Sequence, residues 1–374
     1  MRLLVNTSNL KIGGGIQVAL SMIEEFKDFQ EHEFHIIYSS YIANQLNLGQ
    51  FPKNFYFYNI NYSPVYLPAR FITLKKINKL EKLIHPDCVL SIFGPSYWHP
   101  KAPHVMGFGL CHFLYPESPF WKTIGLKDDI YIKLLKIIKT WQLKKNANYF
   151  HVETMDAKLR MNKFWDIPLE NILVATNSYH KIFDNFSSKI SLPPKKNNEF
   201  RLITISSYYA HKNLEIINEV IKELNKQDEF IFQFFLTLPK NIFKKRFIDS
   251  ENIINIGPLK IPDCPSAYAQ CDAMFLPTLL EIFSANYPEA MKMGKPILTS
   301  DLPFAHDVCK NAAEYFGPLD PRKIAESILK VARNKDYRET LIENGFLRLK
   351  DLDTSRERAE KILNFCSNII SKNV

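Results

Sequence analysis

The chain alternates between short apolar runs and helical patterns, and it does so in two successive series separated by one polar stretch. In the first series the strand candidates are Leu3–Val5, Phe34–Tyr38, Cys88–Phe93, His104–Phe108 and Tyr149–Val152, with a helical pattern over Ile16–Phe26. In the second they are Arg201–Ser206, Ile231–Leu236, Ile253–Ile256, Ala273–Leu276 and Ile297–Thr299, with a helical pattern over Leu214–Leu224. Strands that take turns with helices must be joined by crossovers, so they build a parallel sheet covered on both faces. The polar stretch, Ser191–Glu199, is rich in proline and lysine and has the composition of an interdomain linker. The pattern therefore predicts an α/β chain of two doubly wound domains, residues 1–190 and 191–354, followed by a helix over about 355–374.

The 374 residues are enough for two separate cores, and 46% hydrophobic with 23% charged residues is the balance of a folded globular chain. No run is apolar for the ~18 residues that a membrane-spanning helix needs. The opening Met1-Arg-Leu-Leu-Val-Asn is too short an apolar run for a signal peptide and reads as a first strand. The six cysteines stand singly with no Cys-x-x-Cys pair, which points away from zinc or a disulfide framework and toward a reduced, cytoplasmic chain.

A net charge of +9 allows three kinds of partner: nucleic acid, an anionic membrane face, or a phosphorylated substrate. No zinc-finger spacing or RNP sequence supports the first. Part of the excess lies between Lys122 and Lys145, where Lys133, Lys136 and Lys139 recur every third residue and Ile132, Leu135, Ile138 and Trp141 form an apolar stripe. Two readings stay open for this segment: a helix that leans on anionic lipid, peripheral on the inner face of the membrane, or an ordinary amphipathic helix with its lysines in water.

The richest stretch is Cys271–Ser300. Met274–Pro277 has the profile of a buried strand, Pro288 suits the first turn of a helix, Gly294 stops that helix, and Pro296 opens another strand. Glu281 then lies beyond a strand's carboxyl end and Glu289 about one turn inside the helix. In an open parallel sheet that is where ligands bind. Glu281, seven intervening residues, Glu289, and then Ala290-Met-x-x-Gly294-x-Pro296 resembles the signature of the retaining, GT-B-fold glycosyltransferases of family 4, the group 1 type. Asn311–Pro321 resembles a second segment of that family. The resemblance implies two Rossmann-like domains facing across a cleft, with the last helix crossing back to the first domain.

It also implies roles for single residues. Glu281 would contact the donor sugar's hydroxyls, Glu289 would order the ribose or support the loop, and the backbone N–H groups of Phe283, Ser284 and Ala285 would hold phosphate. Lys212 would neutralise the leaving diphosphate. Five residues before it the family usually has an arginine, where this chain has Ser207, so hydroxyls or a cation from elsewhere, such as Arg246 or Lys240, would have to serve. Gly257 and Leu259 lie where backbone meets the nucleotide base. The turn Lys11–Gln17 carries Gly13, Gly14 and Gly15 after the first strand, which lets backbone N–H groups approach a phosphate at a helix start. Glycines make a plain β-to-α turn equally well. His112 would face the same chemistry as a neutral donor, with His99 and His104 as rivals.

Together these imply a transfer of sugar from a UDP- or GDP-linked nucleotide-sugar to a saccharide or lipid-linked saccharide, with retention of configuration, as in bacterial surface polysaccharide synthesis. No Asp-x-Asp carboxylate cluster calls for a metal, and no cofactor is expected. The alternatives are a nucleotide-sugar epimerase or phosphorylase of the same architecture, and a degenerate transferase that only binds or scaffolds. For Glu289 alone, a first-turn glutamate drawn to its own helix's positive end, worth about 0.3–1 kcal/mol, is the plainer account.

Overall fold

The computed structural model describes the chain apart from residues 12–13, 188–189, 248–249 and 373–374. Its contacts divide the chain into two compact units: Met1–Leu114, Gly125–Thr176 and Asp353–Val374 form unit 1, while Tyr115–Ile124 and Asn177–Leu352 form unit 2. The proline- and lysine-rich stretch at Ser191–Glu199 therefore lies within unit 2.

Unit 1 is built on β1 (Arg2–Asn6), β2 (Glu33–Ser39), β3 (Phe55–Ile60), β4 (Cys88–Ser91), β5 (His104–Gly107), β6 (Tyr149–Val152) and β7 (Ile172–Val174). They form one seven-stranded sheet in the order β3-β2-β1-β4-β5-β6-β7. Every pairing is parallel, with Val5 opposite Ile36 on one side and Leu90 on the other. The helices are α1 (Gly14–Glu25), α2 (Ser40–Ala43), α3 (Leu67–Ile84), α4 (Leu126–Asn146) and α5 (Met155–Trp165). Side chains alternate across the sheet, as a two-residue period requires. Leu3, Val5, Ile36 and Leu90 pack in one cluster, while Leu4, Ile37 and Val89 pack on the opposite face with Ile77 and Ile84 of α3.

The last helix, α13 (Ser355–Lys372), belongs to unit 1. Its Ala359, Ile362, Leu363, Cys366 and Ile369 recur at helical spacing and are buried with Leu3 and Val5. Where the chain leaves and re-enters the unit, Thr176 N donates to Asp353 Oδ2 at 2.8 Å and Asp353 N donates to Thr176 Oγ1 at 2.6 Å.

Unit 2 carries β8 (Glu199–Thr204), β9 (Ile231–Leu236), β10 (Ile253–Asn255), β11 (Ala273–Leu276), β12 (Ile297–Ser300) and β13 (Ala313–Phe316), again all parallel, in the order β10-β9-β8-β11-β12-β13. Its helices are α6 (Ile217–Leu224), α7 (Lys240–Arg246), α8 (Cys264–Ala269), α9 (Asn286–Lys292), α10 (Pro303–Cys309), α11 (Pro321–Arg333) and α12 (Lys335–Leu349). Phe234 and Phe316 both meet Phe275, at 5.4 and 5.5 Å between ring centroids, in the core under the central strands. The sheets are α/β and doubly wound, as the alternation predicts. Two strands carried no clear strand signal, β7 and β13, both short and at sheet edges, while β3 is an aromatic-rich edge strand with exposed positions inside it. All six cysteines are buried and free. Among the described residues no helix is long and apolar enough to cross a membrane.

Candidate functional site

The loop between β11 and α9 is held in shape by unit 2 itself. Leu279 N donates to His211 O at 2.7 Å, and the Thr278 hydroxyl lies 3.2 Å from the same carbonyl. From the short segment 115–124, Ser118 Oγ donates to Leu279 O at 2.6 Å. On the other side, the chain leaving β8 makes a 3-10 turn at Ala210–Lys212 and reverses at Asn213, whose φ of 54° is left-handed. Asparagine tolerates that region better than most side chains. Its Nδ2 donates to Pro318 O at 2.8 Å, which fixes the turn.

These two loops bring Lys212 and Glu281 together. Lys212 Nζ donates to Glu281 Oε1, with both side chains largely buried, and Thr278 Oγ1 lies 3.5 Å from the same carboxylate oxygen. Two charges so placed cost desolvation unless paired well, so the pair keeps an ammonium and a carboxylate charged beside the loop. An ammonium has three N–H donors, and Glu281 is the one acceptor of Lys212 found among the described residues.

Next along the loop, Phe283 and Ser284 are buried and Ala285 half-buried. The first loop-to-helix bonds are Tyr287 N to Ser284 O and Glu289 N to Ala285 O. Among the described residues, nothing accepts a hydrogen bond from the backbone N–H of Phe283, Ser284 or Ala285. Successive backbone N–H groups without an internal acceptor form a place suited to an anion.

Glu289 has different company. Tyr268 of α8 donates its hydroxyl to Glu289 Oε2 at 3.3 Å. Asn286 Nδ2 donates to the Tyr268 hydroxyl at 3.0 Å and to Ile205 O at 2.9 Å, and Ser284 Oγ donates to Asn286 Oδ1 at 3.2 Å. Desolvation pushes the Glu289 carboxyl up to about 8, with the Tyr268 bond opposing. Burial therefore acts on this carboxyl in the direction opposite to its helix's positive end. Tyr268 and Asn286 are the residues that sequence reasoning passed over as site members. Asn286 opens a helix two positions before its proline, and nothing but folding brings Tyr268 to it.

Gly257 follows β10 with φ of 76°, and a Cβ there would meet nothing within 4 Å, so backbone stands open at that point. Leu259, two residues on, is half-buried. Ser207 is exposed, and its neighbour Ser206 is tied through N to Thr237 Oγ1 at 3.0 Å. Tyr208, the residue after it, lies under the Arg246 guanidinium at 5.0 Å and donates its hydroxyl to Glu215 at 2.5 Å, while Glu215 pairs with Arg246 at 3.5 Å. A cation thus stands beside the turn that lacks an arginine.

The remaining predicted residues belong to unit 1. Gly14 opens α1 with open space around its Cα, and Gly15 faces Phe93 and Leu10, while Gly13 lies outside the described residues. His112 is half-buried in a 3-10 turn, its Nδ1 3.6 Å from Cys111 Sγ, and burial with nearby Lys139 lowers its pKa. Of its rivals, His104 is structural: it is buried between Ser91 Oγ at 2.9 Å and Asn146 O at 2.7 Å, and burial takes its pKa down to about 4. No group of three or more His, Cys, Asp or Glu suited to a metal occurs among the described residues.

The chain has two Rossmann-like units, and polar groups converge on loops at the carboxyl ends of the unit 2 strands, the position where open α/β sheets commonly take ligands. Comparison with known proteins makes the class more specific. Residues 187–348 match the family model described as Glycosyl transferases group 1. Over 250 residues the chain is 22% identical to the O-antigen chain mannosyltransferase RfbU of Salmonella typhimurium, covering 66% of this chain and 64% of that protein's length. Among solved structures, sucrose-phosphate synthase from Thermosynechococcus elongatus superposes with a TM-score of 0.72 at 12% identity, covering 99% of both chains. Anabaena Alr3699/HepE in complex with UDP-glucose gives 0.70 at 12% identity, covering 98% of this chain and 99% of that one. These structural likenesses establish the two-domain GT-B fold, and the sequence matches support a glycosyltransferase.

Proposed function

We propose that the chain is a family 4-type retaining glycosyltransferase that moves a sugar from a UDP- or GDP-linked donor to a saccharide or lipid-linked saccharide, in bacterial surface polysaccharide synthesis at the inner face of the membrane. The observation that carries this reading is the Lys212–Glu281 pair beside the three unspent N–H groups of Phe283, Ser284 and Ala285. An ammonium and a row of backbone donors suit a diphosphate, and a carboxylate suits the hydroxyls of the sugar attached to it.

In this mechanism the bond between the anomeric carbon and the diphosphate oxygen breaks as the acceptor oxygen forms its bond to the same carbon. The departing diphosphate takes the acceptor's proton, so no strong side-chain base is required. Lys212 and the loop N–H groups stabilise the charge that develops on the leaving group, while Glu281 orients the sugar. Glu289, with its pKa raised to about 8, is poised as a hydrogen-bonding partner for ribose hydroxyls, and Gly257 and Leu259 offer backbone to the base. Gly14, Gly15 and His112 enter as further donor contacts and a neutral imidazole. The reading calls on no metal and no cofactor.

The test is a panel of UDP- and GDP-sugars scored for release of free nucleotide, with NMR of the anomeric proton in the product. One donor should turn over in the wild type and not in Glu281→Ala. If no donor turns over while nucleotide binding survives Glu281→Ala, the chain is a binding protein and the catalytic reading is wrong.

A further inference from the structure

Along the sequence Ile132, Leu135, Ile138 and Trp141 form one apolar stripe, open to lipid or to the chain's own core. In the folded unit Ile132 and Leu135 are half-buried, while Ile138 and Trp141 are exposed and belong to a wider outward face. Leu126, Ile130, Leu134, Ile137 and Trp141 are all exposed, Leu126 by 75%, Ile137 by 69% and Trp141 by 59%. Their spacing of four, four, three and four residues is that of one helical face, so it is a continuous outward strip of large apolar side chains. Lys136 and Lys139 are instead half-buried, and burial lowers the pKa of both. The helix thus keeps part of its charge inside and its apolar stripe outside, the reverse of what water alone favours.

The inner face explains the orientation. Leu143 is buried, and both it and Met106 of β5 crowd Gly94, where a Cβ would come within 2.7 Å and 2.2 Å of them. Asn146 O, at the last turn, receives His104. The helix is pinned at its carboxyl end and cannot rotate its apolar strip inward. Lys127, Lys133, Lys144 and Lys145 are exposed along the strip's margins, and Lys145 lies 4.8 Å over the Trp141 ring. The helix's two acidic residues, Asp128 and Asp129, are confined to its first turn, and Asp129 is paired with Lys133.

We propose that the outward face of α4 is a docking surface for an anionic lipid bilayer, with α4 lying in the plane of the headgroups. Apolar side chains rimmed by lysines, with an aromatic ring at the margin, is the chemistry that such an interface rewards. A second copy of this chain is a poor occupant, because two such faces would bring their lysine rims together. The proposal deepens the reading of a membrane-side transferase and rests on it for its purpose only.

Flotation with vesicles of phosphatidylcholine alone and of phosphatidylcholine with phosphatidylglycerol, without donor or acceptor, tests it. The chain should bind the anionic vesicles, release as salt rises from about 0.1 to 0.5 M, and bind the neutral ones weakly. Leu134→Glu with Ile137→Glu should cut binding by about tenfold or more while thermal unfolding is unchanged, since both residues are exposed. Tryptophan fluorescence should shift to the blue on anionic vesicles, and Trp141→Phe should abolish the shift. Equal binding by wild type and the double variant, or binding with no fluorescence shift, overturns the proposal. So does self-association lost in the double variant, which would assign the face to a second copy. Nucleotide release on a soluble acceptor is read in parallel, so a failure of docking and a failure of catalysis are told apart.

Discussion

The two units share one plan and use it differently. In each, the first strand of the unit lies inside the sheet with the second and third to one side and the fourth onward to the other. Unit 2 spends its polar side chains on each other: Lys212 on Glu281, Tyr268 on Glu289, Asn286 on Tyr268. Unit 1 has a helix, α4, that shows water its apolar face and partly hides its lysines. Strand order does not distinguish the unit that holds the proposed donor site from the one that carries the proposed membrane face. The loops and one helix rotation do.

The sharpest way to break that comparison is to damage each unit and read both activities. Glu281→Ala should lower nucleotide release by about 10²–10³-fold, the scale of losing one preorganised polar group, and leave vesicle binding intact. Lys212→Ala should cost about 10²-fold, and the double variant should lose much less than the product of the two, because each side chain works through the other. Conversely, Leu134→Glu with Ile137→Glu should weaken vesicle binding by about tenfold while sparing transfer to a soluble acceptor. If either variant damaged both readouts, the division of labour would be wrong.

Smaller effects sharpen the picture inside unit 2. Arg246→Ala should raise the donor KM by about threefold to tenfold, as loss of one charge-assisted contact, and Ser207→Arg should restore it. No change in Arg246→Ala would remove Arg246 from the donor site. The last concerns Glu289, whose pKa is near 8 in the folded chain against an ordinary value of 4.5. Below 4.5 the carboxyl is protonated folded or unfolded. Between 4.5 and 8 only the unfolded chain ionises freely, so the stability present at low pH is lost as pH rises through 8. Glu289→Gln removes that loss, and its Tm should exceed wild type by about 2–4 °C at pH 8 and by nothing at pH 4.5. A gain that is equal at both values would mean that Glu289 does not titrate as burial requires.

Much of the site was legible along the chain because it is carried by short-range order. Glu281 and Glu289 flank one loop, and the strand before it and the helix after it lie where proline and glycine place them. Gly294 ends α9 with φ of 60°, as its position demands. What could not be read was whatever depends on long-range contact. Ser118 reaches Leu279 across 161 residues. Tyr268 reaches Glu289 from another helix, and Arg246 reaches Tyr208 from the far end of α7. None leaves a local trace. Likewise, β7 and β13 were missed because a strand of three or four residues at a sheet edge needs no long apolar run.

By itself, then, the sequence determined the alternation of strands and helices, the two cores, and the loop with its two glutamates, since hydrophobic period and turn residues act within a few residues of each other. Only the tertiary structure decided three further matters. Lys212 meets Glu281 because two loops converge. Glu289 is driven toward its neutral form because α8 buries it. The apolar strip of α4 lies exposed on a helix anchored through Leu143 and Asn146, where the sequence left lipid and the chain's own core both open.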